Sequence, residues 1–97
     1  MTRERDFEIF LSNEPSITSE KAVASRMVKA RKAEEIFGNP LDTIVSNDDT
    51  MYESLIELQP HEDPAHTPMQ NAVRKYYKFI NNREFPRLKN YHSLKHP

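Results

Sequence analysis

Ser19–Gly38 reads SEKAVASRMVKARKAEEIFG, and the fold is decided here. Val23, Met27, Ala30, Ala33 or Glu34, and Phe37 recur at steps of three and four residues, the period of one helix face. Glu20 lies in the first turn, where the helix dipole favours an acid. Thr18 is placed to cap the start, with Ile17 stapling the entry. Gly38, the only glycine in the chain, falls where a helix must turn left-handed, and Asn39-Pro40 follow as a stop. A helix over 19–37 with a firm end is expected.

Working outward, a shorter helix from about Arg3 to Ser12 places Phe7, Phe10 and Leu11 on one face with Ile9 beside it, and Asn13-Glu14-Pro15-Ser16 breaks it. On the other side, Leu41 and Ile44 form a connector that tucks inward. Ser46 or Asn47 caps a third helix of about Asp48 to Leu58, with Met51, Leu55 and Leu58 as its buried line and Tyr52 and Ile56 flanking. Pro60, Pro64 and Pro68, with His61 and His66 between them, make a stiff loop. Thr67-Pro68-Met69-Gln70 has the form of a capping box with proline at the first helical position. The fourth helix, Pro68 to about Asn82, buries Met69, Val73, Tyr76 and Ile80. Of the adjacent pair Tyr76 and Tyr77, only one can be core on this reading, and Tyr76 is the better candidate. Beyond Pro86 no periodicity is visible. The expected organisation is one helical domain over 1–85 and a flexible tail or linker over 86–97, in the all-α class, as a small orthogonal bundle of four to five helices.

Composition agrees with that class. One glycine and no tryptophan argue against a sandwich or barrel, which needs many turns. The absence of cysteine excludes a disulfide scaffold and thiolate zinc sites. No stretch approaches the roughly 20 apolar residues of a membrane span, and MTRERDFE lacks the apolar region of a signal peptide. A soluble, cytoplasmic setting is expected.

Charge is sorted along the chain, although the net charge is only −1. Nine acids and no Lys or Arg fall from Glu34 to Asp63. Seven bases against the single acid Glu84 follow Ala65. Residues advance about 100° each on a helix. Lys21, Ser25, Lys29 and Lys32 therefore line one stripe of the second helix with Arg26 beside it, and Asn71, Arg74, Lys75 and Lys78 line one of the fourth. Such stripes are often plain solvated faces. Two of them, mixing cations with amides and hydroxyls, also suit phosphate oxygens and base edges. The third helix is acidic outside, through Asp48, Asp49, Glu53 and Glu57.

The order of these parts resembles the SAM-like core-binding domain at the N-terminus of tyrosine recombinases (phage integrases). The residues carrying the likeness are Asp6-Phe7-Glu8-Ile9-Phe10-Leu11, Ile17-Thr18-Ser19-Glu20-Lys21, Glu35-Ile36-Phe37-Gly38 and Asn71-Ala72-Val73-Arg74-Lys75-Tyr76-Tyr77-Lys78-Phe79-Ile80. The resemblance implies a bundle gripping one side of duplex DNA, with Lys21, Ser25, Lys29, Lys32, Asn71, Arg74, Lys75 and Lys78 facing it. In that family strand exchange belongs to a separate, larger C-terminal domain, so no catalytic residue is expected here. The acidic block 34–63 is heavier than such a clamp calls for.

Other chemistry is declined. Tyr91 with His92 and His96 lacks the paired cations a nucleophilic tyrosine needs. His61, Glu62, Asp63 and His66 lack metal-ligand spacing, and prolines at 60 and 64 forbid a helical pair. The expectation is a non-catalytic module, without metal or cofactor, that holds double-stranded DNA by its backbone through the stripe residues, Arg26 and Arg83. A protein-interaction or inhibitor domain of phage or plasmid type, acting through Asp48, Asp49, Glu53 and Glu57, is the competing expectation.

Overall fold

In a computed structural model, residues 1–95 are described, with the side chain of residue 95 left aside. The elements are α1 (Glu4–Ser12), α2 (Glu20–Phe37), α3 (Leu41–Ile44), α4 (Asp48–Leu58), a 3-10 turn (Gln59–His61), α5 (Pro68–Asn81) and α6 (Leu88–Lys95). The described residues contain no strand, and the fold is an all-α bundle of six helices where four or five were expected. None of these helices is long and apolar enough to cross a membrane.

The start of α2 shifts by one residue from the expected cap. Ser19, rather than Thr18, accepts the N–H of Ala22 at 3.1 Å. Its end is as the sequence implies: Gly38 sits at φ 68°, and its N–H donates to Glu34 O at 2.9 Å. Val23, Met27, Ala30 and Ala33 form the buried seam. Their small and slender side chains let α5 lie close, and α2 against α5 is the most extensive helix–helix contact.

Helix α5 departs from expectation in two ways. Thr67 makes no cap hydrogen bond. The carboxylate of Glu62 reaches in from the loop instead, accepting the N–H of Met69 at 2.6 Å and of Gln70 at 3.1 Å. A charged acceptor at a helix N-terminus satisfies orphan donors and the dipole together, so it displaces a neutral threonine. The second departure is that Tyr76 and Tyr77 are both wholly buried. Adjacent residues point only about 100° apart, and α5 is covered over a wider arc than that. Tyr76 meets Phe7 edge-on at 4.9 Å, and Tyr77 meets Phe85 edge-on at 5.1 Å. Each hydroxyl finds an acid at 2.7 Å, Tyr76 at Asp42 and Tyr77 at Asp48. Burial and then its carboxylate partner push the Tyr77 hydroxyl up to about 12, and the same two causes raise Tyr76.

The segment expected to be a flexible tail is helical over Leu88–Lys95. Tyr91 packs on Phe85 and on Tyr52, each with ring centroids 5.1 Å apart, and its hydroxyl donates to Asp49. Tyr91, with half-buried Leu88 and with His92 stacked on Tyr52, docks α6; contacts this few leave no period in the sequence. Residues 96 and 97, the rest of the expected tail, lie outside the described residues.

Two measurements probe this scaffold. Glu62→Ala should cost about 1 kcal/mol in urea unfolding, and Thr67→Ala close to nothing, because only the former removes a cap. Burial would raise the Asp42 carboxyl, but the hydroxyl of Tyr76 and both donors of Thr2 outweigh it and hold it down to about 2, from an ordinary 3.8. A depressed acid contributes stability that is complete above its unfolded value and lost as pH falls through its folded one. Stability should therefore fall between about pH 4 and 2, and Asp42→Asn should remove about 2 kcal/mol at pH 7 and flatten that part of the acid profile.

Candidate functional site

The α2–α5 packing brings the two basic stripes together. With Val23, Met27, Ala30 and Ala33 turned inward, Arg26 and Lys29 flank the seam on the side where α5 lies. On α5, burial of Met69, Ala72, Val73, Tyr76 and Tyr77 leaves Asn71, Arg74, Lys75 and Lys78 on the remaining arc. Two adjoining depressions result. One, of about 400 Å³, lies among Arg26, Asn71, Arg74, Lys75, Lys78 and Arg87, with Glu84 and Phe85 completing its wall. The other, of about 350 Å³, takes in Ser25, Lys29 and His66. Arg26 and Asn71 border both, so Lys29 and Lys78 belong to one continuous surface.

The cations on it are not equivalent. Arg26 and Lys29 make no ion pair among the described residues, nor do Lys21 and Lys32, which border neither depression. Arg74 is half-buried, and its Nη1 donates to the carbonyls of Phe85 at 2.9 Å and Pro86 at 3.2 Å. It ties the chain leading into α6 to α5 while leaving a positive charge in the wall. Burial lowers its pKa and the charge of Glu84 opposes that; a guanidinium stays protonated regardless.

Lys75 and Lys78 share one acceptor. Their Nζ atoms lie 2.7 Å and 3.1 Å from the same Oε2 of Glu14, a side chain only 9% exposed. Ser16 Oγ adds a contact to Lys75 at 3.2 Å. Burial would raise the Glu14 carboxyl, but the two ammonium groups outweigh it and hold it below its usual range. The α5 stripe is thus partly neutralised from inside. Sequence reasoning missed this pairing because it spans 61 residues and Glu14 sits in a break without periodicity.

Arg83, expected among the DNA contacts, is elsewhere. Its Nη2 lies 3.2 Å from Asp48 Oδ2 and its guanidinium sits 5.2 Å above the Tyr77 ring, on the α4 side. Arg87 takes a place in the wall that periodicity did not assign, because it precedes the unforeseen α6.

The acidic face of α4 also has internal duties. Asp48 accepts from Tyr77 and Arg83, and Asp49 accepts from Tyr91, whose hydroxyl is raised to about 12 by that bond first and burial second. Glu53 and Glu57 remain exposed. In the loop, Glu62 is committed as a cap and Asp63 accepts the N–H of Ala65 at 2.8 Å. Among the described residues no group of three His, Asp or Glu side chains is close enough to hold a metal ion.

No protein-family model, curated protein or solved structure matches the chain.

The buried pairing has a measurable signature. Lys75→Ala should cost about 1–2 kcal/mol, since Lys75 is only 17% exposed, and Lys78→Ala less than about 0.5 kcal/mol at 33% exposure. In a Glu14→Ala background the cost of Lys75→Ala should shrink, a coupling read by a double-mutant cycle in urea.

Proposed function

We propose that this chain is a non-catalytic helical module that holds the backbone of double-stranded DNA on the joined basic surface of α2 and α5. The observation supporting it is the shared wall: Arg26 and Asn71 border both depressions, so cations from two helices converge on one face rather than two. A field of that shape steers a polyanion, and binding releases the counterions condensed on phosphates. Asn71 and Ser25, both exposed, supply groups able to donate to or accept from sugars and base edges. The helix order fits the DNA-gripping half of a tyrosine recombinase acting in the cytoplasm, and that kinship belongs to the proposal through resemblance in a few positions.

A second reading, docking of a basic protein on the outer face of α4, has partly exposed Ile56 flanked by Glu53 and Glu57 in its favour. It is the weaker one, because Asp48 and Asp49 are engaged internally.

Salt dependence tests the first. With roughly four phosphates contacted, the logarithm of affinity should fall against the logarithm of salt with a slope of about −3.6. Replacing both Arg26 and Lys29 by alanine should flatten the slope by about 1.8 and leave the fold intact, measured by fluorescence anisotropy on a labelled duplex. Absence of binding at low salt, or a slope indifferent to that pair, rules the reading out.

A further inference from the structure

The larger depression is concave, whereas a duplex is a convex rod that can only lie across its rim. Its cations come from three separate parts of the chain: Arg26 on α2, Arg74, Lys75 and Lys78 on α5, and Arg87 on the approach to α6. Opposing them are Glu84 in the wall and Glu14, which does not line the depression but bridges the two lysines. Five cations against two acids leave a formal excess of three positive charges around about 400 Å³. That is more charge than one internal phosphodiester supplies. A phosphate monoester carries roughly −1.5 to −2 at neutral pH and presents three strong acceptor oxygens.

We infer that this depression is a seat for a terminal phosphate group, a phosphate monoester or the end of a polyphosphate chain. Arg26 and Arg87 form its outer jaws. Lys75 and Lys78 turn towards the phosphate by exchanging one acceptor for another, the Glu14 carboxylate for the incoming oxygens. Glu14 is thus an internal competitor that keeps two close ammonium groups from facing each other unpartnered when the seat is empty. Arg74, held by two carbonyls, contributes charge without moving. Two sources carry this chemistry: the 5′-phosphate at a DNA end, and a free phosphorylated small molecule. The inference goes beyond duplex binding and does not require it.

Inorganic pyrophosphate titrated into the full chain at low ionic strength, followed by calorimetry, is the direct test. Saturable binding to one site is expected, weakened about tenfold in Arg26→Ala and in Arg87→Ala, and unchanged in Arg5→Ala, on α1 away from both depressions. Glu14→Gln should tighten it several-fold, a direction that loss of structure cannot produce; circular dichroism of each variant guards the others. Comparison of 5′-phosphorylated and 5′-hydroxyl forms of one short duplex separates the sources. Preference for the phosphorylated form alongside pyrophosphate binding supports a DNA end, and pyrophosphate binding without that preference supports a small-molecule phosphate. No saturable pyrophosphate binding, or binding that Arg26→Ala and Arg87→Ala leave untouched, overturns the proposal. Failure of the duplex reading shows independently, as absence of salt-dependent duplex binding.

Discussion

Helix α5 lies where α1 and α2 cover one flank and α4 and the segment at Phe85 cover the other, so that two consecutive tyrosines are both interior. Most of the remaining geometry follows from this. A helix buried over so wide an arc has a narrow remainder, and Asn71, Arg74, Lys75 and Lys78 occupy it. Since α2 must turn Val23, Met27, Ala30 and Ala33 to the same core, Arg26 and Lys29 are carried to the edge of that remainder. A rotation of α5 by one residue would swing its basic arc by about 100° and put lysines into the aromatic core. Burial of uncompensated charge forbids that. The placement of these basic residues on one face is therefore a by-product of core packing.

The acid-rich middle of the chain has a different explanation from the one its charge suggests. Burying a tyrosine ring stabilises the core, yet its hydroxyl must find a partner. Asp42, Asp48 and Asp49 provide those partners for Tyr76, Tyr77 and Tyr91. Glu62 closes the start of α5. Glu34 accepts the Met1 ammonium at 2.5 Å and the Leu41 N–H at 2.8 Å. Five acids that read as one pole of an external field thus act largely as acceptors holding elements together. What they leave outside, notably Glu53 and Glu57, is a thinner acidic face than the residue count implies.

Features set by local periodicity could be read beforehand, and features set by distant contacts could not. The end of α2 was readable because one glycine meets one stereochemical demand. The span of α4 was readable because Met51, Leu55 and Leu58 keep helical step and Asn47 caps Thr50. Glu62 as a cap, Glu14 as a partner and Tyr91 as an anchor all depend on a side chain crossing a gap that tertiary structure closes, so no spacing announces them. The same division runs through the site. Which residues carry positive charge on each helix was plain, whereas the partial neutralisation of Lys75 and Lys78 and the removal of Arg83 to the α4 side were not.

That neutralisation bears on how a basic surface coexists with a stable fold in a chain this small. Cations drawn from several elements into one concave region repel, and repulsion in a partly desolvated setting is costly. Placing Glu14 between Lys75 and Lys78 relieves it, and so does fixing Arg74 on two carbonyl oxygens. An incoming anion must then offer more than a single carboxylate already does. An anion contact through Arg26 and Lys29 would need no such exchange, whereas one through Lys75 and Lys78 would. On the proposed phosphate seat, ligands with denser negative charge would gain most from the second pair, and Glu14 would grade them by charge density rather than by sign alone.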